Sequence, residues 1–546
     1  MAERVFPISQ RLRPATRLPR PACISLIRCP TVTTVGAVGQ DAVPPLGLAY
    51  ISAALRAAGH TVSAIDAVGE AVDQYTRIPW AGRVLAHGLG TSQIVSRIDP
   101  QVEVVGIACM FSVEWLLVRD LVQAVRREFP RAHIVLGGEH ATACPEYCLG
   151  DSAADVCVVG EGEATIVDLV DRLLLGEDLS HVKGIVFRGA GGIVRTTARD
   201  RIRPVDDIPE PDWASFPIET YLTQRLNFGV DLGRSMPILA SRGCPYRCTF
   251  CSSPQMWTTL WTARSPERVI AEIKGYMTRY QATNFDFYDL TAIVDKRWIR
   301  AFTERLIDED LHITWQLPSG TRSEAIDEEV CALLYRSGCR IINYAPESGS
   351  PEELQRIKKR VVPERMLESM QGAKRAGLEI KANFIFGLPG MTWTDVRRTF
   401  GFVARVARAG VDDINAFPFS PYPGSELFDQ LVEKRRVVFG EEYFRTLLAY
   451  TDPEHSVSYC DLIGSRTLAV LCLALMAHFY TMSILFNPAR AVRLVRAITG
   501  KAGTTKLGTA LATRRRKHRA FQLMRERNSE MIVLSAPTTP VSQPPR

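Results

Sequence analysis

The chain has 546 residues, is 46% hydrophobic and 23% charged, and carries a net charge of +7. That balance fits a soluble globular protein of several domains, and its 13 scattered cysteines exclude a disulfide framework and point to a reducing compartment. Much of the positive excess lies in two tails with no aromatic-interleaved basic face, which argues for solvated tails and against a nucleic-acid site.

Residues 1–21, with Arg4, Arg11, Arg13, Arg17 and Arg20, predict a disordered arm. It has no continuous apolar core of the kind a secretory signal needs, so a cytoplasmic protein is expected. From Ala22 an alternation of strands and helices begins. Apolar runs at 24–27, 61–65, 102–108, 133–136 and 156–159 predict strands, with helices over 44–58, up to 128 and up to 175. Continuous apolar strands between helices predict a doubly wound, Rossmann-like parallel sheet over 22–198. Ligands of such sheets lie beyond the carboxyl ends of the strands. Gly137, Gly138, Gly160 and Gly162 stand there. The G-x-G-x-x-G of a nicotinamide site is absent after the first strand. A hairpin over 184–188 and 192–197 closes the unit. Residues 199–235, with Pro204, Pro209, Pro211 and Pro217, predict a linker whose Asp212, Trp213, Phe216 and Pro217 pack across two domains.

A short apolar run at 237–240 reads as a strand, ended by Ser241-Arg242-Gly243. Cys244, Cys248 and Cys251 follow in the spacing C-x-x-x-C-x-x-C, on a loop at the strand's carboxyl end. Three thiolates on one tight loop suit three irons of a [4Fe–4S] cluster and leave the fourth iron open to a small molecule. Zinc or three unrelated thiols are the alternatives. A closed zinc site needs four ligands, and no nearby histidine or second C-x-x-C supplies the fourth.

Further strands are expected at 284–288, 312–316, 340–345, 379–386 and 412–417. Helices are expected from Ser265-Pro266 to about 280, and over 296–308, 327–337, 363–376 and 394–409. Six such units predict an open (βα)6 partial TIM barrel over 236–435, with chemistry at its C-terminal rim. A helical region is expected over 436–513. Its apolar run 468–486 predicts a buried helix covering the barrel mouth, with membrane contact as the alternative. Residues 514–546, opening on Arg514-Arg515-Arg516-Lys517-His518-Arg519, predict a disordered basic and Pro-rich tail.

The cysteine loop, with Phe250 before its last cysteine, resembles that of the radical S-adenosylmethionine family. Pro44-Pro45-Leu46-Gly47, Gly137-Gly138-Glu139-His140-Ala141 and Gly160-Glu161-Gly162-Glu163 are similar to segments of the cobalamin-binding domain that precedes the radical domain in one branch of it. The D-x-H-x-x-G whose histidine ligates cobalt in many cobalamin proteins is absent, as it commonly is in this branch. The resemblance covers roughly residues 22–430. It implies that Cys244, Cys248 and Cys251 hold the cluster and that S-adenosylmethionine chelates the open iron. It implies contacts to S-adenosylmethionine from Phe250, Asp289, Glu347, Ser348, Asn383 and Gly387. For cobalamin it implies contacts from Pro45, Leu46, Gly47, Gly137, Gly138, His140, Gly160, Glu161 and Gly162. Arg322 is a further candidate for the cofactor carboxylate, with a surface ion pair as the alternative.

The chemistry implied is homolysis of S-adenosylmethionine to a 5′-deoxyadenosyl radical, hydrogen abstraction, and methyl supply from methylcobalamin. The activity implied is a methyltransferase acting on an unactivated carbon, or on phosphinate phosphorus, of a small molecule in specialised-metabolite or antibiotic biosynthesis. An external one-electron reductant of the flavodoxin or ferredoxin type is implied with it. A cobalamin-dependent radical cyclase of the tetrapyrrole kind and a non-catalytic sensor are the alternatives.

Overall fold

The computed structural model describes residues 20–37, 42–78, 83–450, 456–492, 506–527 and 529–534. The arm expected over 1–21 lies almost wholly outside the described residues, as does the end of the expected tail, 535–546.

Two parallel sheets organise the chain. In the first, Val156–Val158, His133–Gly137, Val104–Ala108, Cys23–Arg28 and Thr61–Asp66 lie side by side and parallel. The predicted hairpin, Ile185–Gly189 and Gly192–Arg195, extends one edge antiparallel. Successive residues of a strand face opposite sides, and here both sides are apolar because both are covered. Val104, Val135 and Val156 pack with Leu46, Tyr50, Ile166 and Val170 in one core. Val105, Ile134, Leu136 and Cys157 pack with Trp115, Leu121 and Val125 in another.

The second sheet runs Ser235–Ile238, Asn284–Phe287, Thr314–Thr321, Cys339–Glu347, Glu379–Phe386 and Asp413–Pro418 in chain order, all parallel. The first and last strands are not paired, so this is the expected open barrel. The third and fourth strands are longer than the apolar runs that announced them. Their inward polar residues are satisfied inside: Gln316 Nε2 donates to Asp286 (2.8 Å) and Asn343 Nδ2 to the Pro318 carbonyl (2.8 Å).

The linker joins the sheets. Ser52 Oγ donates to Asp212 (2.6 Å) in the first domain, and Trp213 Nε1 donates to Tyr276 Oη (3.0 Å) in the second.

Two expectations are corrected. The helix Ser465–Phe486 does not cap the mouth. Leu468, Cys472, Leu475, Phe479 and Ser483, three or four apart, are its buried stripe. That stripe seats on the helix Trp393–Arg408 and the last strand, closing the flank of the open barrel. Its outer side leaves Val470, Leu473 and Leu485 exposed. Nor is the basic segment a free tail. Lys506–Glu526 is a helix, and Met531–Val533 pairs antiparallel with Gln74–Arg77. That strand joins a four-stranded sheet with Val84–His87 and Thr31–Thr34, which the sequence reading missed. Ala520 and Met524, four apart, are buried against Tyr75, Leu85 and Ile532. Arg516 bonds Asp73, and Lys517 is fully buried with its ammonium toward the Ala37 carbonyl. A run of cations in sequence thus hid an apolar helix face.

Candidate functional site

The loop of Cys244, Cys248 and Cys251 is held by its backbone. Asp289, at the end of the second barrel strand, accepts from Ala240 N (3.1 Å), Ser241 N (2.5 Å) and Ser241 Oγ (2.5 Å). Its carboxylate is therefore committed to the turn that launches the loop. Burial pushes its pKa up to about 6. Gly243 has φ +88°, and a Cβ there would lie 2.0 Å from the Leu260 carbonyl oxygen, so only glycine fits. Thr249 N donates to the Ile357 carbonyl (3.0 Å), and Leu427 N donates to the Thr249 carbonyl (2.9 Å), tying the loop to the barrel rim.

All three cysteines are half-buried free thiols. Burial pushes their pKa values up, that of Cys251 to about 12. Neutral thiols of this kind ionise when a cation binds.

Around the loop sit buried charges. Glu347, at φ +63°, pairs with Lys359 at 2.9 Å, and both side chains are nearly sealed. The Lys359 charge also acts on Cys248. Arg322 is buried, lies 3.5 Å over the Tyr246 ring and pairs with Glu324. Its Nη1 has no hydrogen-bond partner, an orphan donor beside the cysteine loop that fits a carboxylate ligand. Asn383 accepts from Asn415 Nδ2 (2.9 Å) on the next strand. Gly387, at φ +79°, is packed under Leu468 of the C-terminal helix. Phe250 is half-buried against the second core.

Ser348 is turned inward. Its hydroxyl donates to Glu353 Oε2 (2.6 Å), while Glu353 Oε1 receives no hydrogen bond. Burial pushes the Glu353 pKa up to about 7. An unfolded carboxyl titrates near about 4.3, so the folded chain holds this proton more tightly. The stabilisation it gives is present in full below the unfolded pKa and is lost as pH rises toward 7. Glu353→Gln keeps the shape and removes the titration. Between about pH 5 and about pH 8 the stability difference is expected to move toward the variant by about 2–3 kcal/mol. Urea midpoints of both proteins at the two pH values measure it, and parallel pH profiles would show that Glu353 is already ionised.

The first domain meets this loop directly. Arg242, two residues before Cys244, bonds Glu161 (3.1 Å) and Glu163 (2.5 Å), and Arg201 bonds the other Glu161 oxygen (2.8 Å). Both glutamates and Arg242 are buried. Glu161 is thus placed as the partner of two arginines, and its pKa is held below the usual carboxylate range although burial opposes this. Gly160 lies against the Met256 carbonyl and Gly162 against Ile51.

At the neighbouring strand end, a Cβ on Gly138 would strike the Cys109 carbonyl oxygen (2.5 Å), whereas Gly137 has open space. Met110 and Phe111 beside them are 43% and 58% exposed. Open backbone and uncovered apolar side chains beyond a parallel strand fit a large planar ligand. His140 is not in that opening. It is buried, with Nδ1 on Ser112 Oγ (2.8 Å) and its ring against Trp115 and Phe444. Pro45 caps the helix Leu46–Ala57, in which Leu46 is core and Gly47 exposed. The sequence reading passed over Arg242, Lys359, Met110 and Phe111. An arginine just past the apolar run and before a Gly-Cys is a usable signal for the first, whereas Lys359 sits in an ordinary charge run.

Two family models match the chain: the B12 binding domain over residues 32–170 and the Radical SAM superfamily over residues 238–403. The chain belongs to the radical S-adenosylmethionine enzymes that carry a B12-binding domain ahead of the radical domain. The cofactors of that family are a [4Fe–4S] cluster, S-adenosylmethionine and cobalamin, and the residues above fit them.

Among similar proteins, an uncharacterized methyltransferase of Pyrococcus horikoshii is 29% identical, over 75% of this chain and 83% of its own. Cytidylyl-2-hydroxyethylphosphonate methyltransferase of Streptomyces wedmorensis is 27% identical, over 73% and 80%. The anaerobic magnesium-protoporphyrin IX monomethyl ester cyclase of Rubrivivax gelatinosus is 27% identical, over 73% and 68%. In fold, the chain is similar to the radical methyltransferase TsrM of Kitasatospora setae. The TM-score is 0.59 at 17% identity, covering 76% of this chain and 78% of that one.

Proposed function

We propose that this enzyme methylates an unactivated carbon, or a phosphinate phosphorus, of a small-molecule intermediate in specialised metabolism. The observation that carries this reading is the buried contact of Arg242 with Glu161 and Glu163. It locks the cysteine loop onto the carboxyl edge of the B12-binding sheet, so that two cofactor sites share one interior. When bound, the cluster and S-adenosylmethionine supply a carbon radical and cobalamin supplies a methyl group.

The chain's own part is geometric. Cys244, Cys248 and Cys251 hold the cluster. Arg322 Nη1 takes the carboxylate of S-adenosylmethionine, and Glu347 accepts from its ribose hydroxyls. Lys359, 2.9 Å away, holds the Glu347 carboxylate in place. Asp289 acts through the turn at Ser241 and does not need to touch the ligand. Phe250, Ser348, Asn383 and Gly387 shape the nucleoside side. Gly137, Gly138, Gly160 and Gly162 let backbone approach cobalamin, with Met110 and Phe111 against the corrin and the Pro45–Gly47 turn at its edge. Sealed charges and apolar walls exclude water from a radical. An external one-electron reductant of the flavodoxin or ferredoxin type feeds the cluster, in the cytoplasm, where the free cysteines stay reduced.

The cyclase relatives favour a second reading, cobalamin-dependent ring closure. Methyl-deuterated S-adenosylmethionine separates the two. The expected product gains the intact trideuteriomethyl group by mass spectrometry. A product that loses hydrogen and gains no label would replace methyl transfer with cyclisation.

A further inference from the structure

The helix Ser465–Phe486 spends one side on the barrel. Its opposite side carries Arg466, Val470, Leu473, Ala477 and Leu485, all exposed. Residues three, four or eight positions apart share a helix face, so these form one outward stripe. The helix Trp393–Arg408 runs beside it in the same direction. His478 Nε2 lies 3.1 Å from the Phe400 carbonyl oxygen, and the Arg408 guanidinium stands 5.9 Å over the Phe486 ring. That second helix turns Trp393, Arg397 and Arg408 outward.

We propose that the outer face of these two helices docks on a bilayer surface with anionic headgroups. Val470, Leu473, Leu485 and Trp393 enter the headgroup boundary, and Arg397, Arg408 and Arg466 meet lipid phosphates. The helix Ser465–Phe486 is long and apolar enough to cross a membrane. It lies on one instead, because Leu468, Cys472, Leu475, Phe479 and Ser483 hold it to the barrel flank.

The charge of the face selects the occupant. Asp395 is the one acid on either helix, and it is buried, with its oxygens taken by Ser350 and Arg356. Arg398 and Arg405, on the edge away from the apolar stripe, pair with Glu352 and Glu364, whereas Arg397, Arg408 and Arg466 have no ion-pair partner among the described residues. Between Asp461 and Glu526 the sequence holds no aspartate or glutamate, so the adjoining chain offers no counter-charge. A second copy of the same face would set arginine against arginine. Anionic lipid supplies the missing charge, and cytoplasmic leaflets carry it. An indole at the edge of an apolar stripe suits the headgroup level.

The test is co-sedimentation of the full-length, cobalamin-loaded protein with vesicles of phosphatidylcholine alone or mixed with phosphatidylglycerol. Binding to the mixed vesicles is expected to be more than about tenfold the stronger, and added salt should release the protein. Val470→Glu/Leu473→Glu should lose this binding while deoxyadenosine formation in solution stays unchanged, because both side chains point away from the barrel. Arg397→Gln/Arg408→Gln should weaken binding about tenfold, and it decides the matter if the glutamate variant does not fold. No pelleting with the mixed vesicles, equal affinity for both kinds, or undiminished binding by the variants overturns the proposal. So does a dimer in sedimentation velocity without vesicles that Val470→Glu/Leu473→Glu dissociates, since the face is then a subunit contact.

Discussion

Cys248→Ala is expected to abolish formation of 5′-deoxyadenosine while the chain retains its cobalamin. On the assignment proposed above, alanine removes one of three loop ligands, and two thiolates do not hold a cluster whose fourth corner has no protein ligand. The loop itself should survive. Its attachments are the backbone bonds of Thr249 to Ile357 and of Leu427 to Thr249, and neither uses a cysteine side chain. The Cys248 side chain is half-buried and outside the core clusters, so little apolar burial is lost. The first sheet keeps both of its covered faces. The measurements are chromatography of reaction mixtures for deoxyadenosine and visible absorption for cobalamin. Deoxyadenosine formed at the unaltered rate would remove the cluster from Cys244, Cys248 and Cys251.

The second large effect is expected from Arg242→Met. The methionine keeps the apolar stem of the arginine but leaves Glu163 without its cation and Glu161 with only Arg201. Stranding a buried charge costs about 3–5 kcal/mol. Water has to enter between the cysteine loop and the Gly160–Glu163 turn to solvate it, and that drives the two sheets apart. The urea midpoint should fall, and deoxyadenosine should be made without a matching yield of methylated product. Adding Glu163→Gln removes one stranded charge and should restore part of the midpoint. An unchanged midpoint in the single variant would mean that the junction is already wet.

The sequence reading and the structure agree where a residue's role follows from its neighbours in the chain. Apolar runs gave both sheets, because strands buried on two faces read as unbroken hydrophobic stretches. The spacing of Cys244, Cys248 and Cys251 was legible because one loop supplies all three. Roles set by distant partners were not legible. Arg242 and Glu161 stand 81 positions apart, and nothing local marks either as the other's counter-ion. Asp289 reads as a rim carboxylate, yet its oxygens are spent on the turn at Ser241. His140 follows a Gly-Gly pair in the manner of a ligand contact, yet the helix turns its ring under Trp115. Charge counts misled at the C-terminus, where Ala520 and Met524 bury a stripe within a basic helix.

The pairing of Met531–Val533 with Gln74–Arg77 has a bearing on biosynthesis. The strand at 74–77 leaves the ribosome more than four hundred residues before its neighbour does. Until then the edge of that small sheet stays open, while the barrel between them is synthesised and folds. The amino-terminal unit is therefore finished last, and nascent chains halted anywhere before residue 531 carry an uncovered strand.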